Sequence, residues 1–127
     1  MLKIGLSVVG GFLTRFLGGF DMIIITLIIF VAMDYLTGVM KAIVNKELSS
    51  EIGFKGIFKK VLIFFMVGIA TQLDIILPTD IGIRYIVIIF YIINEGLSIL
   101  ENASLLGLKI PQKIKDTLSI LKNNQKQ

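Results

Sequence analysis

Three stretches of the chain, at about residues 22–44, 57–77 and 83–106, are apolar over a length that matters. A membrane-spanning helix needs about 20 mostly apolar residues to cover roughly 30 Å of hydrocarbon. The pattern therefore predicts three transmembrane helices. None of them is purely apolar. Asp34 and Lys41 interrupt the first, Asp74 lies near the end of the second, and Asn94, Glu95 and Glu101 sit inside the third.

The connectors differ in charge. Residues 45–60 hold Lys46, Lys55, Lys59 and Lys60, with Lys41 just before them, whereas the turn at Pro78–Gly82 carries Asp80 and is followed by the lone Arg84. Lys109, Lys113, Lys115, Lys122 and Lys126 follow the third stretch. By the positive-inside rule the first connector and the tail are cytoplasmic and the Pro78 turn is outside, so three spans start from an outer N-terminus. Lys55, Lys59 and Lys60 are expected to anchor the second span at the headgroups. Ser49 or Ser50 fits an N-cap ahead of it, with Glu51 favourable in the first turn. Gly53 and Gly56 then allow a bend or a close approach.

The first 20 residues contain five glycines between Gly5 and Gly19, together with Arg15. Val9, Phe12, Leu13, Phe16, Leu17 and Phe20 recur at helical spacing, which favours an amphipathic helix in the outer interface. A fourth span is the alternative, and a cleaved signal fits poorly because Arg15 breaks the apolar run. After Pro111, Ile110, Ile114, Leu118 and Leu121 recur at steps of three and four. They predict a short cytoplasmic amphipathic helix in the tail of residues 108–127, able to lie on headgroups or on a neighbouring subunit, with residues 123–127 frayed.

On the third span Tyr91, Asn94, Glu95, Ser98, Glu101 and Asn102 form a polar stripe about 16 Å long at 1.5 Å per residue. Ile88, Ile89, Ile92, Ile93, Leu97 and Leu100 make an opposite face compatible with lipid. On the first span Asp34, Thr37, Gly38, Lys41, Ala42 and Asn45 form a similar stripe, in which Gly38 and Ala42 let another helix approach closely. Counting from the span starts sets Asp34 level with Glu95, and Lys41 near Glu101. Lys41 is thus a candidate charge partner for Glu101 or Asp34, within a subunit or between subunits. An ionised group at mid-bilayer costs about 2.5–3.5 kcal/mol even on insertion scales, so such stripes turn away from lipid. They serve either as packing seams or as walls of a water-lined path. So many polar positions on one short helix point to an oligomer whose polar faces meet.

Composition narrows the chemistry. The 127 residues are 55% hydrophobic and 17% charged, with no cysteine or histidine, and the mean hydropathy is +0.88. Disordered and disulfide-rich classes are excluded, as are thiolate and imidazole chemistry and the usual zinc ligand sets. The net charge of +4 serves topology rather than nucleic acid. An enzyme is not expected, since no nucleophile–base set is present, and no cofactor is expected. The chain reads as one all-α integral membrane domain over residues 1–127.

Gly18-Gly19-Phe20-Asp21, Asp34-Tyr35-Leu36-Thr37-Gly38, Lys41-Ala42-Ile43, Asn45-Lys46, Leu48-Ser49-Ser50, Gly53-Phe54-Lys55-Gly56 and Lys59-Lys60-Val61 form an ordered set. Leu73-Asp74, Asn94-Glu95-Gly96-Leu97-Ser98-Ile99-Leu100-Glu101-Asn102, Gly107-Leu108 and Ile110-Pro111 continue it. The set resembles the phage holin family, which also includes toxin-secretion holins, from about Gly18 to Leu121. The resemblance implies a multi-pass protein of the host bacterial cytoplasmic membrane that associates with copies of itself. It further implies lesions that release an endolysin or toxin as cargo, without direct binding. On that reading Asp34, Thr37, Gly38, Lys41, Ala42, Tyr91, Asn94, Glu95, Ser98, Glu101 and Asn102 line the pore or the subunit interface. The alternative is a small oligomeric transporter subunit that uses its intramembrane carboxylates.

Overall fold

The computed structural model describes residues 1–125. Among the described residues there are five helices and no strand: α1 (Leu2–Leu17), α2 (Met22–Val44), α3 (Ser50–Ile76), α4 (Ile83–Leu105) and α5 (Gln112–Gln125). Lys126, from the expected basic tail, lies outside the described residues. Residues 123–125, expected to fray, belong to α5.

Local chemistry sets the helix ends. Gly18 adopts a left-handed φ of 83°, and the Gly19 amide donates to Thr14 O at 2.8 Å, which closes α1 three residues before the expected limit at Phe20. Asp21 caps α2 by accepting from the Ile24 amide at 3.2 Å. Ser49 caps α3 through the Ile52 amide at 3.2 Å, and Glu51 occupies the first turn. That cap starts α3 seven residues before the expected span at Ile57. The Asp74 carboxylate reaches over the Pro78 turn and accepts from the Ile83 and Arg84 amides at 2.8 and 2.9 Å, so it caps α4 from another helix.

These contacts fix the helix directions. The end of α3 and the starts of α2 and α4 meet around Asp74, Arg84 and Asp21, so α2 and α4 run parallel and α3 runs back between the two ends. Lys41, Lys46, Lys55 and Lys59 gather at the opposite, basic end. Leu17, Ile24, Leu27, Val31, Ile63, Val67 and Ile88 form the apolar core.

The outward faces are a different matter. Only 22% of the most apolar 18-residue stretch of α2, and the same share in α4, is buried inside the protein. Ile28, Ile29, Leu36, Leu62, Phe65 and Ile69 are among the large side chains left exposed. These two helices are long and apolar enough to cross a membrane. α3 is longer, at 27 residues, and carries Lys59, Lys60 and Asp74.

Two expectations about faces are corrected. Ile88 and Ile93, assigned to a lipid-facing side of α4, are 0% and 5% exposed. α4 packs against α2, α3 and α5, so its apolar face has protein partners as well as its polar one. The tail helix α5 turns back along α4 within the chain, placing a Leu118 methyl beside Gly96. Of the bulky face predicted on α1, only its last turn packs on the protein, with Phe16 lying over Gly68 of α3 and Leu17 buried in the core.

Candidate functional site

Asp34 on α2, Lys60 on α3 and Glu95 on α4 are brought to one level by the helix directions just described. Lys60 Nζ donates to Asp34 Oδ2, and also to Glu95 Oε1 at 2.8 Å and Oε2 at 2.7 Å. The side chains of Asp34, Glu95 and Lys60 are 9%, 6% and 21% exposed. Two carboxylates therefore share one ammonium in a largely dry setting, where charge-assisted hydrogen bonds gain strength and an unpaired charge is costly. One lysine joins three helices.

Asn102 extends the cluster towards the basic end. Its Nδ2 donates to Asp34 Oδ1 at 3.2 Å and to Thr37 Oγ1 at 3.0 Å. Thr37 Oγ1 in turn donates to Met33 O at 2.8 Å. Gly38 faces Asn102, so the close approach that Gly38 permits is used by α4 of the same chain. Among the described residues no buried side-chain nitrogen or oxygen lacks a hydrogen-bond partner. Asp34, Glu95 and Asn102 thus find their partners within one subunit, because a third helix supplies the cation.

Within the subunit, the expected pairing of Lys41 is not found. Among the described residues Lys41 has no carboxylate within 4.0 Å, and Lys60, expected only as an anchor, takes Asp34 instead. The sequence does hold a signal for this. Lys60 stands three residues before Ile63 and seven before Val67, which is the buried stripe of α3, whereas Lys59 falls on the exposed face.

Two crevices flank the cluster. One, of about 480 Å³, lies between α2 and α3 and includes Lys41, Ala42, Ser98 and Asn102 in its lining. The other, of about 340 Å³, lies between α3 and α4 and is bordered by Tyr91 and Asn94. Glu101 lies outside both and is exposed.

A second charged cluster sits at the other end. Arg84 Nη1 donates to Asp21 Oδ2 at 2.9 Å and Nη2 to Asp21 Oδ1 at 3.2 Å. Its Nε reaches Leu17 O at 2.5 Å and Nη2 reaches Gly19 O at 3.1 Å. The guanidinium thus holds the end of α1 against the starts of α2 and α4. Its hydrogen bonds keep the Asp21 carboxyl below its usual 3.8.

Apolar outer faces with charge gathered between helices define an all-helical membrane protein. The chain belongs to the bacteriophage holin family, whose model matches residues 11–123 and so includes part of α1, which the sequence resemblance left uncovered. It is 43% identical over 125 residues to an uncharacterized 14.9 kDa protein of Clostridium perfringens, covering 98% of this chain and 95% of that one. It is 41% identical over 120 residues to an uncharacterized protein of Listeria innocua, covering 94% and 86%. A probable holin of Bacillus phage phi105 is 39% identical over 95 residues, covering 75% of this chain and 70% of the phage protein. No solved structure matches the chain.

Proposed function

We propose that the protein is a holin that associates in the bacterial cytoplasmic membrane and opens lesions through which an endolysin or a toxin leaves. The observation that carries this reading is membership of the holin family together with the phage relative named a probable holin. In this reading α2, α3 and α4 are the three spans, with the basic end and α5 cytoplasmic. The protein acts without catalysis and without binding its cargo.

The internal ion pairs refine the mechanism. Asp34, Glu95, Thr37 and Asn102 are engaged within the protomer, which leaves Lys41, Tyr91, Asn94, Ser98 and Glu101 as the polar groups available to a subunit seam. Lesion opening then requires the Lys60 cluster to part, and its charges to find water or a neighbouring subunit. The two crevices beside it are where water would enter first.

Inducible expression in a bacterium that also makes a cytoplasmic reporter enzyme tests the proposal. A holin stops respiration abruptly and releases the enzyme. Saturable solute flux without killing would instead support a transporter that uses Asp34 and Glu95. A stable monomer in lipid, or unchanged association and lysis in the Asp34→Asn, Glu95→Gln variant, would count against a mechanism built on these polar groups.

A further inference from the structure

The tail helix α5 lies at a depth that its composition does not suit. A Cβ at Gly96 would stand 3.7 Å from Leu118 Cδ1 and 3.3 Å from Phe30 Cε2, so α5 rests where α4 meets α2. Gly96 precedes the end of α4 at Leu105 by nine residues, which is about 14 Å at 1.5 Å per residue. It adjoins Glu95, so Leu118 stands at the level of the Lys60 cluster. Because α5 runs back along α4, Lys122 lies one turn past Leu118, about 6 Å deeper.

Only Ile114, Leu118, Ile120 and Leu121 are apolar among the 14 residues of α5. Lys113, Asp116, Ser119, Lys122, Asn123 and Asn124 are exposed. Sliding the protein along the membrane normal does not remove the conflict. With Gly96 at the headgroups, the thirteen residues from Ile83 to Glu95 would supply about 20 Å for roughly 30 Å of hydrocarbon. Lys113 and Lys115 are nearer the basic end and can extend to the headgroups. Lys122 and the short side chains of Asp116, Ser119 and Asn123 cannot, so the free side of α5 does not face lipid. Water or another copy of α5 is left. The helix holds three lysines and one aspartate, an excess of two positive charges, so identical copies repel unless water lies between them.

We propose that α5 forms the wall of a water-filled path, docked on α4 at mid-span and entered from the cytoplasmic end. Its lysine-bearing side meets the water, while Ile28, Ile29, Phe65 and Ile69 face lipid. This rests on α2 and α4 being membrane spans, and it gives the proposed lesion a cationic lining.

The chain has no cysteine, so single thiols report without background. The full-length protein is placed in vesicles of phosphatidylglycerol and phosphatidylcholine. A nitroxide on Ser119→Cys is expected to collide more with a water-soluble nickel chelate than with oxygen, and one on Ile29→Cys to show the reverse. Docking is read in the same vesicles by a short bis-maleimide that bridges Gly96→Cys and Leu118→Cys. With Gly96 left native, a benzophenone amino acid in place of Leu118 is expected to attach to α2 or α4. The proposal is overturned if the Ser119→Cys label favours oxygen, which means lipid, or if neither probe reaches it, which means a subunit contact. It is likewise overturned if neither cross-link forms while circular dichroism shows the helices intact. Enzyme release from cells without these signatures leaves the lysis reading standing and this one refuted, and the signatures without enzyme release do the opposite.

Discussion

Lys60 on α3 donates to both carboxylate oxygens of Glu95 on α4, at 2.8 and 2.7 Å, and the same ammonium reaches Asp34 on α2. Neighbouring Lys59 is exposed and makes no such pair among the described residues. Lys60→Met is therefore expected to leave two buried carboxylates without a cation and to destabilise the protein by about 3 kcal/mol. Lys59→Met should stay within about 0.5 kcal/mol of the parent. Adding Asp34→Asn and Glu95→Gln to Lys60→Met should recover most of the loss, since no uncompensated charge then remains. Unfolding in detergent micelles measures all three, and equal effects of Lys59→Met and Lys60→Met would refute the lock.

Acid should act on the opposite end. Arg84 lowers the Asp21 carboxyl below its usual 3.8, so the folded state favours the ionised form. The stabilisation is present above the usual value and disappears as pH falls through the lowered one. α1 is then expected to exchange its amide hydrogens faster below about pH 4. Asp21→Asn keeps a residue able to cap α2 but removes the charge, so α1 exchange in that variant should lose its dependence on acid. A parent protein whose α1 protection is flat between pH 6 and pH 3 would contradict the Arg84 clamp.

Phe16 lies so close to Gly68 that a side chain there would displace the ring. Gly68→Val should cost about 1–3 kcal/mol and raise amide exchange across Leu2–Leu17. Phe16→Ala in the same chain makes room for the valine and should restore part of the stability. No rescue by Phe16→Ala would mean that the contact does not hold α1.

The docking of α5 depends on Gly96. A Cβ there would stand 3.3 Å from Phe30 Cε2 and 3.7 Å from Leu118 Cδ1. Gly96→Val is expected to push Leu118 away and to speed tryptic cleavage after Lys115, which is half-buried in the packed helix. An unchanged cleavage rate would show that α5 is not held by this contact.

Much of this arrangement could be read in order along the chain. Apolar runs located α2 and α4, Ser49 or Ser50 offered a cap for α3, and counting along the spans put Asp34 level with Glu95. The cation that joins them could not be assigned that way. Lys60 belongs to a basic connector by composition and to a buried stripe by periodicity, and only the face α3 presents to α4 decides between the two.

The sequence by itself determined the helical membrane class, the separation of a basic end from an end carrying the lone Arg84, and the polar positions on α2 and α4. These follow from composition and from a period of 3.6 residues, both local properties of the chain. The tertiary structure alone decided that Lys60 rather than Lys41 answers Asp34, that Asp74 caps a helix other than its own, and that α5 folds back on Gly96. Each of these depends on which helix faces are apposed, and side-chain distances between separate helices are not encoded in the spacing of residues along any one of them.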